Sequence, residues 1–87
     1  MSATEGARAA GEGRVVVYWR KGCPYCTRLR IVLGRRARDV VWVDVWADQD
    51  ASAYVRSVND GDEVVPTVVI DGVPHTNPTP RVVADAL

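Results

Sequence analysis

The chain is short of cysteine and histidine and carries no net charge, and each shortage removes a class of function. Only two of its 87 residues are cysteine, Cys23 and Cys26, so it cannot build the disulfide framework of small secreted domains. The single histidine, His75, gives with them three candidate ligands where a zinc site usually needs four, and there is no second cysteine pair. Shared coordination of zinc or an iron–sulfur cluster across a dimer remains the alternative from another class. No apolar run approaches the roughly 20 residues that span a bilayer, and the opening MSATEGARAAGEG lacks the apolar region of a secretory signal. The expectation is a cytoplasmic protein without membrane association, in a compartment that would keep a structural disulfide open. Eleven basic residues cancel eleven acidic ones. Without an aromatic-interleaved basic stripe, no nucleic-acid partner is expected, and nothing suggests an obligate dimer.

What is present reads as one small α/β domain. Apolar residues make up 47% and charged residues 25% of the chain, the balance of a globular protein. Residues 1–13, small, polar and glycine-rich, read as a flexible N-terminal tail, and residues 14–87 as the domain. VVVYW (Val15 to Trp19) is a strand apolar on both faces, hence central. RKGCPYC then turns the chain into a helix whose first turn accepts Pro24. Leu29, Val32 and Leu33 form its inward stripe, Arg28, Arg30, Arg35 and Arg36 face outward, and Ile31 falls off the stripe. VVWVDV (Val40 to Val45) is a second strand, parallel to the first. Asp48 or Asp50 caps a helix with Ala51, Tyr54, Val55 and Val58 at i, i+3, i+4 and i+7. PTVVI and VPH flank Asp71-Gly72 as a hairpin, and Thr79-Pro80 opens a short closing helix. The order is βαβαββα, with a mixed four-stranded sheet covered by helices.

Charge is unevenly placed. Residues 1–38 hold nine Lys/Arg against Glu5 and Glu12, whereas residues 39–87 hold nine Asp/Glu against Arg56 and Arg81. Arg35, Arg36 and Arg38 suit the negative end of a helix dipole, while Arg20, Lys21 and Arg28 can set a positive field beside the cysteines. Trp19, Trp42 and Trp46 read as core and strand residues rather than a stacking platform, and His75 as a partly exposed strand residue near the site.

Cys-x-x-Cys between a strand and the helix it opens is the setting in which this spacing reads as a working dithiol. A helix N-terminus offers unpaired N–H groups and the positive end of the dipole, which favour a thiolate over a thiol at Cys23. Cys26, one turn inside, shares the helix face with Cβ atoms about 5–6 Å apart, so a modest adjustment brings the pair to the roughly 3.8 Å of a disulfide. Cys23 would attack a disulfide sulfur and Cys26 could resolve the mixed disulfide. Val65-Pro66, at the mouth of a strand, is either a trans edge proline or a cis turn whose Val65 backbone pairs with bound substrate.

CPYC, the VVPT segment (Val64 to Thr67) and the element order together resemble the glutaredoxins, from about Val15 to Leu87. The resemblance implies a thioredoxin-like three-layer fold, Cys23 as nucleophile, Cys26 as resolving thiol and a cis Pro66. It likens Lys21 to the family lysine beside the site and Tyr25 to the aromatic that packs on a bound thiol. SVNDGDEVVPTVVIDG followed by Thr76-Asn77-Pro78 looks like the mycoredoxins, glutaredoxin-like proteins that use mycothiol. Glutathione-using members carry an acid where Asn77 stands, and Thr76 and Asn77 suit a ligand with neither ammonium nor carboxylate. CPYC itself is typical of glutathione users, whereas mycoredoxins usually have Gly at the position of Pro24. The implied function is reduction of mixed disulfides between proteins and mycothiol (or glutathione) as thiol co-substrate. No cofactor is expected to be tightly bound, and an NADPH-dependent disulfide reductase would restore the thiol pool. The rival within the same chemistry is a redoxin recharged by thioredoxin reductase.

Overall fold

The distribution of β-branched residues decides which strand becomes the centre of the sheet. The structure, a computed structural model, describes residues 2–87. Strands β1 (Val16–Trp19), β2 (Val41–Asp44), β3 (Thr67–Ile70) and β4 (Val73–Thr76) form one mixed sheet in the order β2-β1-β3-β4. β1 runs parallel to β2, with Val16 opposite Val41, and antiparallel to β3, with Val16 opposite Val69. β3 and β4 form the hairpin read from Asp71-Gly72, whose φ angles of 51° and 78° are those of a tight two-residue turn.

Side chains alternate across β1 and so divide the apolar residues between two cores. Val16 and Tyr18 join Val43, Val55 and Val69 beneath α1 (Ala3–Gly11) and α3 (Gln49–Val58). Val15 and Val17 join Leu29, Leu33, Val68 and Val83 beneath α2 (Pro24–Leu33) and α4 (Pro80–Asp85). Three layers result, and a strand serving both cores has no place for a polar side chain. Fully burying one valine stabilises the fold by about 1.5–2 kcal/mol.

The stretch read as a flexible tail carries α1. Its first residue, Met1, lies outside the described residues. Ser2 and Glu5 form a reciprocal capping box, which satisfies two of the N–H groups a helix start leaves open. Gly6 and Ala9 are buried, and a Cβ at Gly6 would stand 2.9 Å from Val43 Cγ2. The helix therefore lies on the sheet because its inner face is made of very small residues. Asp48 fastens it from outside: Oδ2 accepts the Ala3 N–H at 2.8 Å, while Oδ1 accepts the Asp50 and Ala51 N–H groups and caps α3.

Other departures are local. Val32 is 54% exposed, so the inner stripe of α2 is Leu29 and Leu33, with Cys26 one turn earlier. The late arginines leave the helix at Gly34 for a 3-10 segment, Gly34–Asp39, where Arg36 bonds the Ala84 carbonyl and Arg38 that of Arg35. β3 is an interior strand and begins at Thr67, so Pro66 sits just outside the ladder and costs it no hydrogen bond. Trp19 and Trp42 pack against the second core, both under the Arg30 guanidinium. Trp46, expected among the core and strand residues, lies past the end of β2 and is 64% exposed. Among the described residues no helix is long and apolar enough to cross a membrane.

Candidate active site

The two cysteines stand where β1 hands the chain to α2. Gly22, at φ 78°, takes the left-handed conformation this turn needs. Cys23 is then the N-cap of α2 and Pro24 its first residue, where a missing N–H leaves no bond unmade. An N-cap normally offers a side-chain oxygen to the helix N–H groups. Here the acceptor is sulfur: Cys23 Sγ accepts the Cys26 N–H at 3.4 Å. That contact strengthens when the sulfur carries charge. The Cys23 thiol also points at the Val65 carbonyl, 3.6 Å away.

Both cysteines are reduced and buried, but their surroundings act differently on Cys26. Burial, and then the hydrogen bond its thiol makes to Cys23, push Cys26 up to about 12, with the Arg20 backbone and guanidinium pulling the other way. Near neutral pH the Cys26 thiol therefore keeps its proton. The pair divides into a capped, N-terminal sulfur and an inner thiol that keeps its proton.

The second wall comes from β3 and β4. The Val65–Pro66 peptide bond is cis, and Val65 and Pro66 are both buried. The Pro66 carbonyl accepts the Asn77 N–H at 2.8 Å, joining the end of β4 to the start of β3. A groove of about 150 Å³ runs beside the turn, lined by Tyr25, Arg28, Leu29, Asn77, Thr79 and the flanking prolines. It brings Tyr25 and Asn77 together. Lys21 is exposed, has no carboxylate within ion-pair distance among the described residues, and does not line the groove. The Thr76 hydroxyl is engaged, donating to Asn59 Oδ1. His75 is half-buried on β4 opposite Val68. No three His, Cys, Asp or Glu side chains converge in a metal-holding group among the described residues. A larger cavity, about 450 Å³, lies between α1 and α3 over Tyr18 and Tyr54 and contains neither cysteine.

Two organising residues were not singled out from the sequence. Asn59 entered the sequence reading only within the SVNDGDEVVPTVVIDG stretch. Its Nδ2 donates to the Val55 carbonyl and to Thr67 Oγ1, while its Oδ1 takes the Thr76 hydroxyl, so it joins α3, β3 and β4 behind the cis proline. Glu63 gave no local signal. Its carboxylate takes the Trp46 Nε1–H at 3.1 Å and the Ser52 hydroxyl and lies 3.6 Å from the Arg20 guanidinium.

Comparison with known proteins agrees with this arrangement. The glutaredoxin family model matches residues 15–75. Mycoredoxin 1 of Corynebacterium glutamicum is 43% identical over 65 residues, covering 74% of this chain and 80% of its own. Among solved structures, oxidized glutaredoxin 2 from Chlamydomonas reinhardtii superposes with a TM-score of 0.65 at 26% identity, over 94% of this chain and 80% of the other. The holo form of glutaredoxin C1 from Populus tremula x tremuloides, at 23% identity and a TM-score of 0.61 over 94% of this chain and 81% of the other, shares the fold.

Proposed function

The chain belongs to the glutaredoxin family and is a thiol–disulfide oxidoreductase, and from that premise we propose that it reduces mixed disulfides between proteins and a small thiol, with mycothiol as that thiol. The Cys23 thiolate attacks the mycothiol sulfur of the mixed disulfide. A Cys23–mycothiol disulfide forms, and the protein sulfur leaves as a thiolate and takes up a proton. A second mycothiol thiolate then attacks the mycothiol sulfur bound to Cys23, giving mycothiol disulfide and freeing Cys23. Electrons balance at each exchange, and an NADPH-dependent disulfide reductase returns the small thiol to its reduced form. In this proposal the reaction runs in the cytoplasm and needs no resident cofactor.

The observation that carries this reading is the asymmetry of the pair: Cys23 Sγ sits at the helix N-terminus under the Cys26 N–H, while Cys26 holds its proton. A protonated inner thiol is a poor nucleophile, so closure of the Cys23–Cys26 disulfide is slow enough for a second small thiol to compete. Cys26 remains available to resolve a mixed disulfide when that thiol is scarce. In this reading Tyr25 and Asn77 line the thiol groove, Asn77 as a neutral polar contact, while Pro24 shapes the turn and Val65 and Pro66 form the wall that faces Cys23 Sγ. Lys21 contributes charge at the rim, and Thr76 supports the wall through Asn59.

The similarity to Mycoredoxin 1 and the neutral Asn77 in the groove support mycothiol. Trapping tests it. Cys26→Ser protein treated with mycothiol disulfide should gain the mass of one mycothiol, located on Cys23 by peptide mapping, and should gain far less glutathione from glutathione disulfide. Equal labelling by both disulfides would count against the choice of thiol, and labelling at any residue but Cys23 against the nucleophile.

A further inference from the structure

An exposed tryptophan is normally a mobile one, and Trp46 is exposed without being free. Its indole Nε1–H is bonded to Glu63 Oε1 at 3.1 Å, and the Arg20 guanidinium carbon stands 5.5 Å from the ring centroid. The Trp46 backbone N–H is held by Asp44 Oδ1 at 2.8 Å. Glu63 is itself fixed, by Ser52 through one oxygen and by Arg20 through the other. One edge of the indole is thus anchored and a cation sits over the ring, yet the residue keeps 64% of its surface in water. Leaving a large aromatic surface in water costs apolar burial, and nothing in the packing of either core uses it.

Around this ring lies a pocket of about 290 Å³, lined by Val45, Trp46, Gln49, Ser52, Arg56 and Glu63. It is near the small end of the range of about 300–1,000 Å³ typical of ligand pockets. One wall is flat and apolar. Gln49 and Arg56, both exposed, supply amide and guanidinium groups at its margin. The pocket also lies close to the thiols. Glu63 is two residues, roughly 7 Å of extended chain, before Val65, whose carbonyl meets Cys23 Sγ. Arg20 spans the same gap from the other side, its guanidinium acting on both Cys26 and Glu63.

We propose that Trp46, with Gln49 and Arg56 at its margin, forms a subsite for the neutral polyol end of the thiol substrate. A six-membered polyol ring has a face of C–H bonds that packs on an aromatic surface and a rim of hydroxyls that need donors and acceptors, and this pocket offers both. Glu63 is a positioning residue that holds the indole and has no need to touch the ligand. The inference rests on the mycothiol reading, because mycothiol joins an acetylated cysteine to an amino sugar and inositol, and it deepens that reading by stating where the sugar end lies. Trp46, assigned from sequence to the core, becomes the stacking surface instead.

The test compares one peptide carrying either mycothiol or N-acetylcysteine in mixed disulfide, turned over by wild type, Trp46→Ala, Trp46→Phe and Glu63→Gln, with folding checked by thermal melts. Trp46→Ala should raise KM for the mycothiol substrate about tenfold, as expected for loss of one aromatic contact, and change kcat by less than about twofold. It should leave the N-acetylcysteine substrate unaffected. Trp46→Phe should restore most of the loss, and Glu63→Gln should show a smaller rise in the same direction. Because the bound group is neutral, the ratio of KM between the mycothiol and N-acetylcysteine substrates should not depend on ionic strength. A KM for Trp46→Ala equal to wild type, or an equal loss with both substrates, overturns the subsite. If wild-type protein fails to prefer mycothiol over N-acetylcysteine, the subsite falls. If it also turns over equally well with glutathione, the mycothiol reading falls as well. A wild-type preference for mycothiol that survives Trp46→Ala removes the subsite alone.

Discussion

Sulfur replaces oxygen at the N-cap of α2, and the chemistry of the site follows from that exchange. Cys23 receives the N–H that a serine would receive, while Cys26 faces the buried side and is pushed up to about 12. Cys26→Ser should therefore keep most of the activity toward mixed disulfides with a small thiol present, and Cys23→Ser should reduce it at least a hundredfold. Activity surviving in Cys23→Ser would remove Cys23 as the nucleophile. Stability of the reduced protein carries the same asymmetry. The folded-state value of Cys26 is raised above that of a free thiol, about 8.5. Its contribution is therefore complete below pH 8.5 and is lost as pH rises toward 12. Denaturant unfolding should show wild type losing more stability than Cys26→Ala between pH 8 and pH 10. Parallel losses in the two proteins would mean that Cys26 ionises normally.

At the scale of elements, α1 shows how a helix can hide from hydrophobic patterning. Its buried face is Gly6 and Ala9, so no stripe of large apolar residues marks it, and glycine-rich composition read as a tail. The legible signal was polar: Ser2 and Glu5 stand in the spacing of a capping box. From β1 onward the expected βαβαββα order is present in the structure, because alternation and turn chemistry there depend on local spacing. Trp46 and Glu63 escaped because their meeting joins the loop after β2 to the loop before β3, 17 residues apart. Two substitutions test the seating of α1. Gly6→Ala raises intrinsic helix propensity by about 1 kcal/mol, yet should lower Tm, because its Cβ meets Val43 at 2.9 Å. A rise in Tm would mean that α1 is not held against the sheet. Asp48→Ala removes bonds to both α1 and α3 and should lower Tm by roughly 5 °C at neutral pH. The Ala3 N–H above all, with the α3 caps, holds Asp48 below the usual carboxylate range against its desolvation. Its contribution is therefore present above about pH 4 and fades as pH falls through its folded-state value. The Tm gap between Asp48→Ala and wild type should close in acid, and a gap independent of pH would contradict the cap's ionic character.

Across the whole molecule, two cores share one sheet, and the Cys-x-x-Cys turn lies where β1 leaves it. Cys23, Cys26 and Val65 belong to the same core as Val43 and Val55, so both thiols and the cis-proline wall are held by packing they have in common. That common part was legible from CPYC and VVPT, because a strand–turn–helix and a proline before a strand are local features. In the proposed function, selectivity for a particular thiol would depend on side chains brought together from α2, β4 and the loops, which no single segment announces. The most direct test of the account follows NADPH oxidation with one mixed-disulfide peptide and three donors: mycothiol with its reductase, glutathione with its reductase, and thioredoxin reductase alone. Turnover with mycothiol should be at least tenfold above either alternative, and lost in Cys23→Ser. Full turnover with thioredoxin reductase alone would contradict it and make the chain a direct reductase of protein disulfides.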